Sequence, residues 1–514
     1  EQPEPDVAAL SVLLVIFHFT QSSRFGFEYF VVMRTLLIFF FILIYQNLFA
    51  QLPQKFDSLL ACYHQNGLFN GAVIIADKDG IVYQKAFGLA NIDHKVPNTI
   101  NTVFGIGSMS KAFTAMLVLQ LIQDGTLQFD APVSRFLPEY RTDVGNKVSI
   151  RHLLTHTSGI PSYTALPNIW EDSLQTSYTS HYILKNFGSK DLEFEPGTRY
   201  KYGNTGYFML AMIIERILGK QMNDVLRENT FNPLKMTGSG IDDNRRPIAN
   251  KANGYYRLGS QYINEPYIYN LNSYGASGVH STVYDLYLWD RALYTNQLLS
   301  EEYMQLYTSP KYEVEPGYAY GFGWEFTRLG LAKNDTVETM EHSGAIRGFR
   351  SAIYRVPAEK KCVILLSNAA DQSGHEIFEN IMQVFRGRKW IAPKRLLADT
   401  LYGVMQAASV QKAIQVYQSL KKTDSLNYDF SSYSLELLGE RLLMLSSYAE
   451  AAAIFQLALN EFPNYTYGYL YLGRAYEKWG KYKEAIVAYQ KAVDQDKNSR
   501  PGKDAAFQLK RLIE

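Results

Sequence analysis

Past residue 439 the chain repeats itself every 34 positions. Gly439 returns as Gly473, Tyr448 as Tyr482, Ala451 as Ala485, Phe455 as Tyr489 and Ala458 as Ala492. A period of this length is one pair of helices per unit; the small residues let the helices approach and the aromatics fill the groove between them. One such unit cannot bury its apolar face alone, so neighbours must stack. Two units are expected at about 432–463 and 466–497, after a degenerate helical stretch at 396–420 and before a capping helix at 504–513. Residues 389–514 are therefore expected to form an all-α repeat domain.

Residues 51–388 follow another pattern. Apolar runs at 72–76 and 81–83 flank Asp79-Gly80, a tight-hairpin signal. A second hairpin is expected at the far end: a strand over 349–356, a turn at 357–360 and a return strand at 362–366. Between the hairpins lie helices such as 111–123, apolar on nearly all sides and ended by Asp124-Gly125. Strands at both ends with helices between imply an α+β fold whose two ends close one sheet. With 47% apolar and 20% charged residues in 514, the composition is globular and excludes wholesale disorder. Lys and Arg total 51 against 50 Asp and Glu, so a basic nucleic-acid-binding face is not expected. Two cysteines exclude a disulfide scaffold or a Cys-based zinc module; Cys62 and Cys362 are expected as free thiols.

Residues 1–50 read as a targeting segment. The first methionine, Met33, is followed by Arg34, an apolar run over 36–45, and Gln46-Asn47-Leu48-Phe49-Ala50-Gln51. A positive charge, a short apolar core and a small residue before a polar one make a secretory signal, with cleavage expected after Ala50 and export to the periplasm or beyond. The competing reading is a membrane anchor over 25–49, interrupted by Arg34. Leu59-Leu60-Ala61-Cys62 has the form of a lipoprotein cleavage box, but the polar stretch before it makes it helix interior.

The chemistry concentrates at three places. Gly107-Ser108-Met109-Ser110-Lys111 opens the buried helix, with Ser108 at its start and Lys111 one turn later on the same face. An amine there reaches the hydroxyl, and desolvation lowers its pKa toward a neutral base. Alone, Ser108 reads equally as a helix cap. The second place is Tyr202-Gly203-Asn204, in a turn-rich loop running into an apolar helix. The third is Glu341-His342-Ser343-Gly344-Ala345, expected just before a strand.

In this order the three motifs resemble those of the serine β-lactamase and penicillin-binding-protein superfamily, nearest its class C β-lactamase-like branch. Flanking stretches match too: Leu153-Leu154-Thr155-His156-Thr157-Ser158-Gly159, Gly275-Ala276-Ser277-Gly278 and Tyr320-Gly321-Phe322-Gly323-Trp324. The resemblance covers roughly residues 54–386 and implies a β-lactamase/transpeptidase-like fold; the 34-residue units resemble tetratricopeptide repeats. It implies that Ser108 attacks an acyl carbonyl, that Lys111 takes or relays its proton, and that Tyr202 is the second acid/base group. Asn204 would orient Lys111 and the substrate amide. His342 and Ser343 would line the substrate, and Gly344 would let the strand approach it. The N–H groups of Ser108 and Ala345 would form an oxyanion hole, worth about 3–4 kcal/mol per donor.

His342 and Ser343 depart from the Lys-Thr form usual in β-lactamases. A neutral histidine supplies no permanent cation for a substrate carboxylate. The expected activity is therefore acyl-enzyme hydrolysis of an ester, a D-amino-acid peptide or amide, or a β-lactam-like substrate, without cofactor or metal. The alternative is a binding protein whose inert hydrolase-like domain supports a peptide-binding repeat surface; the retained trio Ser108, Lys111 and Tyr202 argues against it. A small-molecule or peptide substrate, and a protein partner on the repeats, are the expected contacts. His152 and His156, spaced i, i+4, lack the Glu of a metalloprotease helix and are assigned to a structural helix end.

Overall fold

The computed structural model describes residues 52–514 except 168 and 370–372. The expected targeting segment at 1–50 lies outside the described residues. Chain contacts divide the molecule between Asp57 and Ser58. Ser58–Glu514 is one compact unit; of the other unit, only the opening turns of the helix Leu52–Gln65 are described. Residues 59–62 lie inside that helix, and both cysteines are free, with Cys362 buried. Among the described residues no helix is long and apolar enough to cross a membrane.

An eight-stranded antiparallel sheet organises the first part of the larger unit. Its spatial order is Tyr312–Glu315, Tyr318–Tyr320, Glu325–Ala332, Asp335–Ile346, Phe349–Val356, Lys361–Ser367, Gly71–Asp77, Gly80–Phe87. Gly71–Asp77 pairs with Lys361–Ser367 from Gly71↔Ser367 to Ala76↔Cys362, so the two ends of the domain do close one sheet. Both strands are buried on both faces, which is why they read as unbroken apolar runs rather than as an alternation. The first hairpin bends one residue earlier than its Asp-Gly signal. Asp77 pairs with Gly80, leaving Lys78-Asp79 as the loop, because the Asp77 carboxylate accepts the Asp79 N–H at 2.8 Å and caps the turn. Residues 341–345, expected before a strand, instead form the end of the strand Asp335–Ile346.

Two helices form the centre of the helical layer. Ser110–Gln123 is buried almost throughout, and Asn204–Leu218 packs against it before ending at a left-handed Gly219.

Beyond the linker the chain is helical: Leu397–Ala407, Val410–Thr423, Ser432–Met444, Tyr448–Glu461, Thr466–Lys478, Tyr482–Asp496 and Arg500–Ile513. The single degenerate stretch expected at 396–420 is a full helix pair. Ser409 breaks it, its side chain accepting the Lys412 N–H to start a new helix. The last helix also begins earlier than expected, with Ser499 as its cap and Pro501 in its first turn. The 34-residue period has a direct steric cause. A Cβ at Gly439 would collide with the Phe455 ring, and one at Gly473 with the Tyr489 ring.

The repeats hold the hydrolase-like part through the hairpin Tyr255–Leu258 and Gln261–Asn264. Leu258, 1% exposed, belongs to the repeat core beside Leu401 and Tyr402. Asp399 accepts from the Arg257 guanidinium (2.6 Å) and from the Gly259 N–H (2.7 Å), and Tyr402 donates to Gln261 Oε1 (2.8 Å). The Arg441 guanidinium lies 4.2 Å from the Tyr256 ring centroid. Leu258→Ala empties a closed apolar site and is expected to cost about 2–4 kcal/mol. A lower melting temperature and faster proteolysis near residue 390 check this; unchanged values contradict the docking.

Candidate active site

The Ser108 turn is held from two sides. Phe104–Gly105 pairs with Val279–Ser281, and the Ile106 N–H donates to the Val279 carbonyl at 3.0 Å. Gly107 then takes φ +52°, and a Cβ there would stand 2.8 Å from the Ala345 nitrogen. Only glycine lets this turn lie against the strand bearing the third motif. The turn Gly107–Met109 runs straight into the helix Ser110–Gln123. Ser110, the other hydroxyl of the motif, is fully engaged: its Oγ donates to the Gly107 carbonyl (2.6 Å) and accepts from Val279 N–H (3.0 Å).

Lys111 is completely buried, and its Nζ donates in three directions: to Ser108 Oγ (3.1 Å), to Asn204 Oδ1 (2.7 Å) and to the Ala276 carbonyl (3.0 Å). Burial lowers its pKa from 10.5 to about 7, against the partial opposition of the nearby Glu325 carboxylate. Asn204 is the first residue of the helix Asn204–Leu218 and is clamped at every polar atom that matters. Its backbone N–H donates to Ser162 Oγ (3.0 Å), and its side-chain Nδ2 donates to Thr164 Oγ1 (2.8 Å), which leaves Oδ1 for the lysine. Tyr202 lies within hydrogen-bonding reach of Ser108, with the Lys111 ammonium 4.9 Å from its ring centroid. Of the residue as a whole 37% is exposed, while its phenol end is buried. That burial pushes its phenol above the ordinary value; the nearby Ser108 hydroxyl opposes this and Glu325 adds to it.

In the third motif the strand alternation buries His342 and exposes Ser343 and Ala345. The His342 Nδ1 sits 2.6 Å from the Ser343 carbonyl, which can only accept, so Nδ1 carries the proton; Nε2 faces the Tyr320 hydroxyl at 3.4 Å. Burial and then the Lys111 charge lower the His342 pKa to about 3. Neutrality at this position is therefore imposed by the surroundings as well as by residue type. Gly344 has a packing role beside the one expected from sequence. The space of its missing side chain faces the Ile106 carbonyl and Ser351 Oγ, so the glycine seats the strand on the Ser108 turn.

Ser108, Lys111, Tyr202, Asn204, His342, Ser343, Gly344 and Ala345 thus converge from three separate stretches of chain. Four more residues stand at the same place: Thr164 and Glu325, which no sequence motif marks, and Tyr320 and His156, which lie in the flanking stretches without an expected role in the site. From sequence, His156 is expected with His152 at a helix end. The helix Ile150–Leu154 stops before it, and His156 turns away at φ +58° to stand 4.4 Å, ring to ring, from Tyr202. His152 stays behind as a cap, its Nδ1 accepting the Ser149 N–H at 3.2 Å. The i, i+4 spacing carries no trace of this, because the contact is made by a loop far along the chain. Among the described residues no group of three His, Cys, Asp or Glu side chains could hold a metal ion.

The Beta-lactamase family model matches residues 46–384, and the Tetratricopeptide repeat model matches residues 466–499. Penicillin-binding protein 4* of Bacillus subtilis (strain 168) is 30% identical over 373 residues, covering 68% of this chain and 77% of its own. Protein flp of Staphylococcus aureus (strain NCTC 8325 / PS 47) is 25% identical over 338 residues, 64% of this chain and 65% of its own. The crystal structure of a penicillin-binding protein from Bacillus halodurans superposes with a TM-score of 0.55 at 27% identity, covering 64% of this chain and 98% of that one. On its fold and on these matches, the chain belongs to the β-lactamase family of serine hydrolases, with tetratricopeptide repeats at its C-terminal end.

Proposed function

We propose that this protein is an exported hydrolase that acylates Ser108 and cleaves an ester or a short D-amino-acid amide in preference to a β-lactam. The observation that carries the reading is the set of partners around Lys111. A neutral amine has two N–H bonds and one lone pair. Asn204 Oδ1 and the Ala276 carbonyl can only accept, so they take the two N–H bonds. The lone pair then faces Ser108 Oγ, the one partner that brings its own proton.

The chemistry follows. Lys111 removes the Ser108 proton as Oγ bonds to the acyl carbon, and the N–H groups of Ser108 and Ala345 hold the oxygen that becomes negative. The proton passes to the leaving alcohol or amine, by Lys111 directly or through Tyr202, as the old ester or amide bond breaks. Water then attacks the acyl-enzyme, losing its proton to the Tyr202–Lys111 pair while Ser108 Oγ leaves and regains one. Tyr202 acts as a protonated phenol that relays, since its surroundings raise its pKa rather than lower it. Turnover of an aryl ester, a D-alanyl amide and a chromogenic cephalosporin, compared side by side, tests this. Hydrolysis of none, or of the cephalosporin as fast as the ester, contradicts it. Fractionation of cells making the full chain tests the export.

Preference against carboxylate-bearing substrates is attributed to neutral His342. His342→Lys is expected to raise turnover of an anionic ester relative to its neutral analogue by roughly tenfold, about 1.4 kcal/mol. A second cation beside Lys111 also lowers the Lys111 pKa further, so the rise of activity with pH moves to lower pH. An unchanged anionic-to-neutral ratio removes His342 from the account of specificity.

A further inference from the structure

We infer that His156 is a positioning residue for Tyr202: its neutral imidazole holds the phenol and the loop 200–204 against Ser108 and Lys111. The inference rests on the reading of Ser108 and Tyr202 given above.

Two penalised features coincide at this one residue. Its backbone is left-handed at φ +58°, a conformation that histidine adopts at a cost. Its Nε2 is buried with no hydrogen-bond partner. A packing residue would avoid the second cost as Phe or Leu, and glycine or asparagine would reduce the first. The position of the ring explains why both are tolerated. The Gly203 N–H donates to Nδ1 at 3.4 Å, and the Lys201 N–H donates to the His156 carbonyl at 2.9 Å, so the residue grips the chain on either side of Tyr202. Because Nδ1 accepts, the ring proton sits on Nε2. Four phenol rings surround the imidazole, centroid to centroid: Tyr202 at 4.4 Å, Tyr320 at 4.6 Å, Tyr207 at 5.2 Å and Tyr200 at 6.0 Å. A buried N–H among aromatic rings has at best weak contacts in place of a hydrogen bond. Imidazole alone combines an acceptor for Gly203 with flat faces for Tyr202.

The neighbours are arranged to keep the ring neutral. Burial opposes a charge on it most, the Lys111 ammonium opposes it further, and the four phenols around it are themselves uncharged. Glu325 reaches Lys111 and Tyr202 electrostatically and is not among the groups acting on His156. His156 therefore acts by geometry, through Tyr202, at every pH where Lys111 works.

The kinetic consequence is specific, because Tyr202 is needed most for deacylation. In His156→Phe, which keeps the ring and loses the acceptor, kcat on an aryl ester is expected to fall roughly 30-fold or more. KM should fall with it, leaving kcat/KM within about threefold, and acyl-Ser108 should accumulate in the intact mass spectrum. Fluorophosphonate labelling should proceed at nearly the wild-type rate. His156→Asn, which tolerates the left-handed backbone and can place an oxygen near the Nδ1 position, should recover most of kcat. If the phenylalanine variant does not fold, His156→Gly with and without added imidazole gives the same reading through chemical rescue. Unchanged kcat, or kcat and labelling lost together at constant KM, overturns the inference. A wild-type protein that does not label at Ser108 fails the underlying reading instead, so the two failures are separable.

Discussion

Ser108→Ala is expected to abolish turnover, by on the order of 10⁵-fold or more, and to remove covalent labelling by a fluorophosphonate. The wild-type protein should gain a single adduct, and peptide mapping should place it on Ser108. The neighbouring hydroxyls make a discriminating control. Ser110 Oγ is committed to the Gly107 carbonyl and the Val279 N–H, and Ser158 Oγ accepts from the Ile160 N–H. An adduct on either, or none, contradicts the assignment. The variant should remain folded, since Ser108 is only half-buried and its hydroxyl partners Lys111 rather than supporting the core.

Lys111→Met is expected to cost on the order of 10³-fold or more in acylation while making the protein more stable below pH 7. The two effects have one origin. The lysine binds its proton with a pKa of 10.5 when the chain is unfolded and about 7 when it is buried, so between these values the unfolded state holds more protons. Stability of the wild type must then rise with pH across that window, by roughly 2 kcal/mol between pH 7 and pH 9, and lie lowest below pH 7. The methionine variant lacks this dependence. Its lost hydrogen bonds to Asn204 and the Ala276 carbonyl cost about 1 kcal/mol each and do not vary with pH. The stability gap between variant and wild type should therefore narrow from pH 6 to pH 9, as read by denaturant titration. Wild-type acylation should rise with pH through about 7 as the amine becomes neutral. A gap that is flat with pH would mean that Lys111 keeps its ordinary basicity, and the lone-pair argument for its role would fall with it.

Local pattern was enough to specify most elements and the identity of the motifs. The helix after Ser108, the paired end strands and the period of 34 all follow from residue type at fixed spacing, because each reflects which side chains a helix or strand can bury. Even the glycines at 439 and 473 announce the aromatic residues they accommodate. Spacing along the chain cannot report contacts made by folding distant segments together, and there the reading fell short. It separated His156 from the site. It treated 396–420 as one stretch and gave no sign that the hairpin at 255–264 would seat Leu258 in the repeat core. The neutrality of His342 shows the division most clearly. Histidine in place of lysine made a missing permanent charge legible from residue type, but the fall of its pKa to about 3 comes from burial beside Lys111, and only the tertiary structure brings those two residues together.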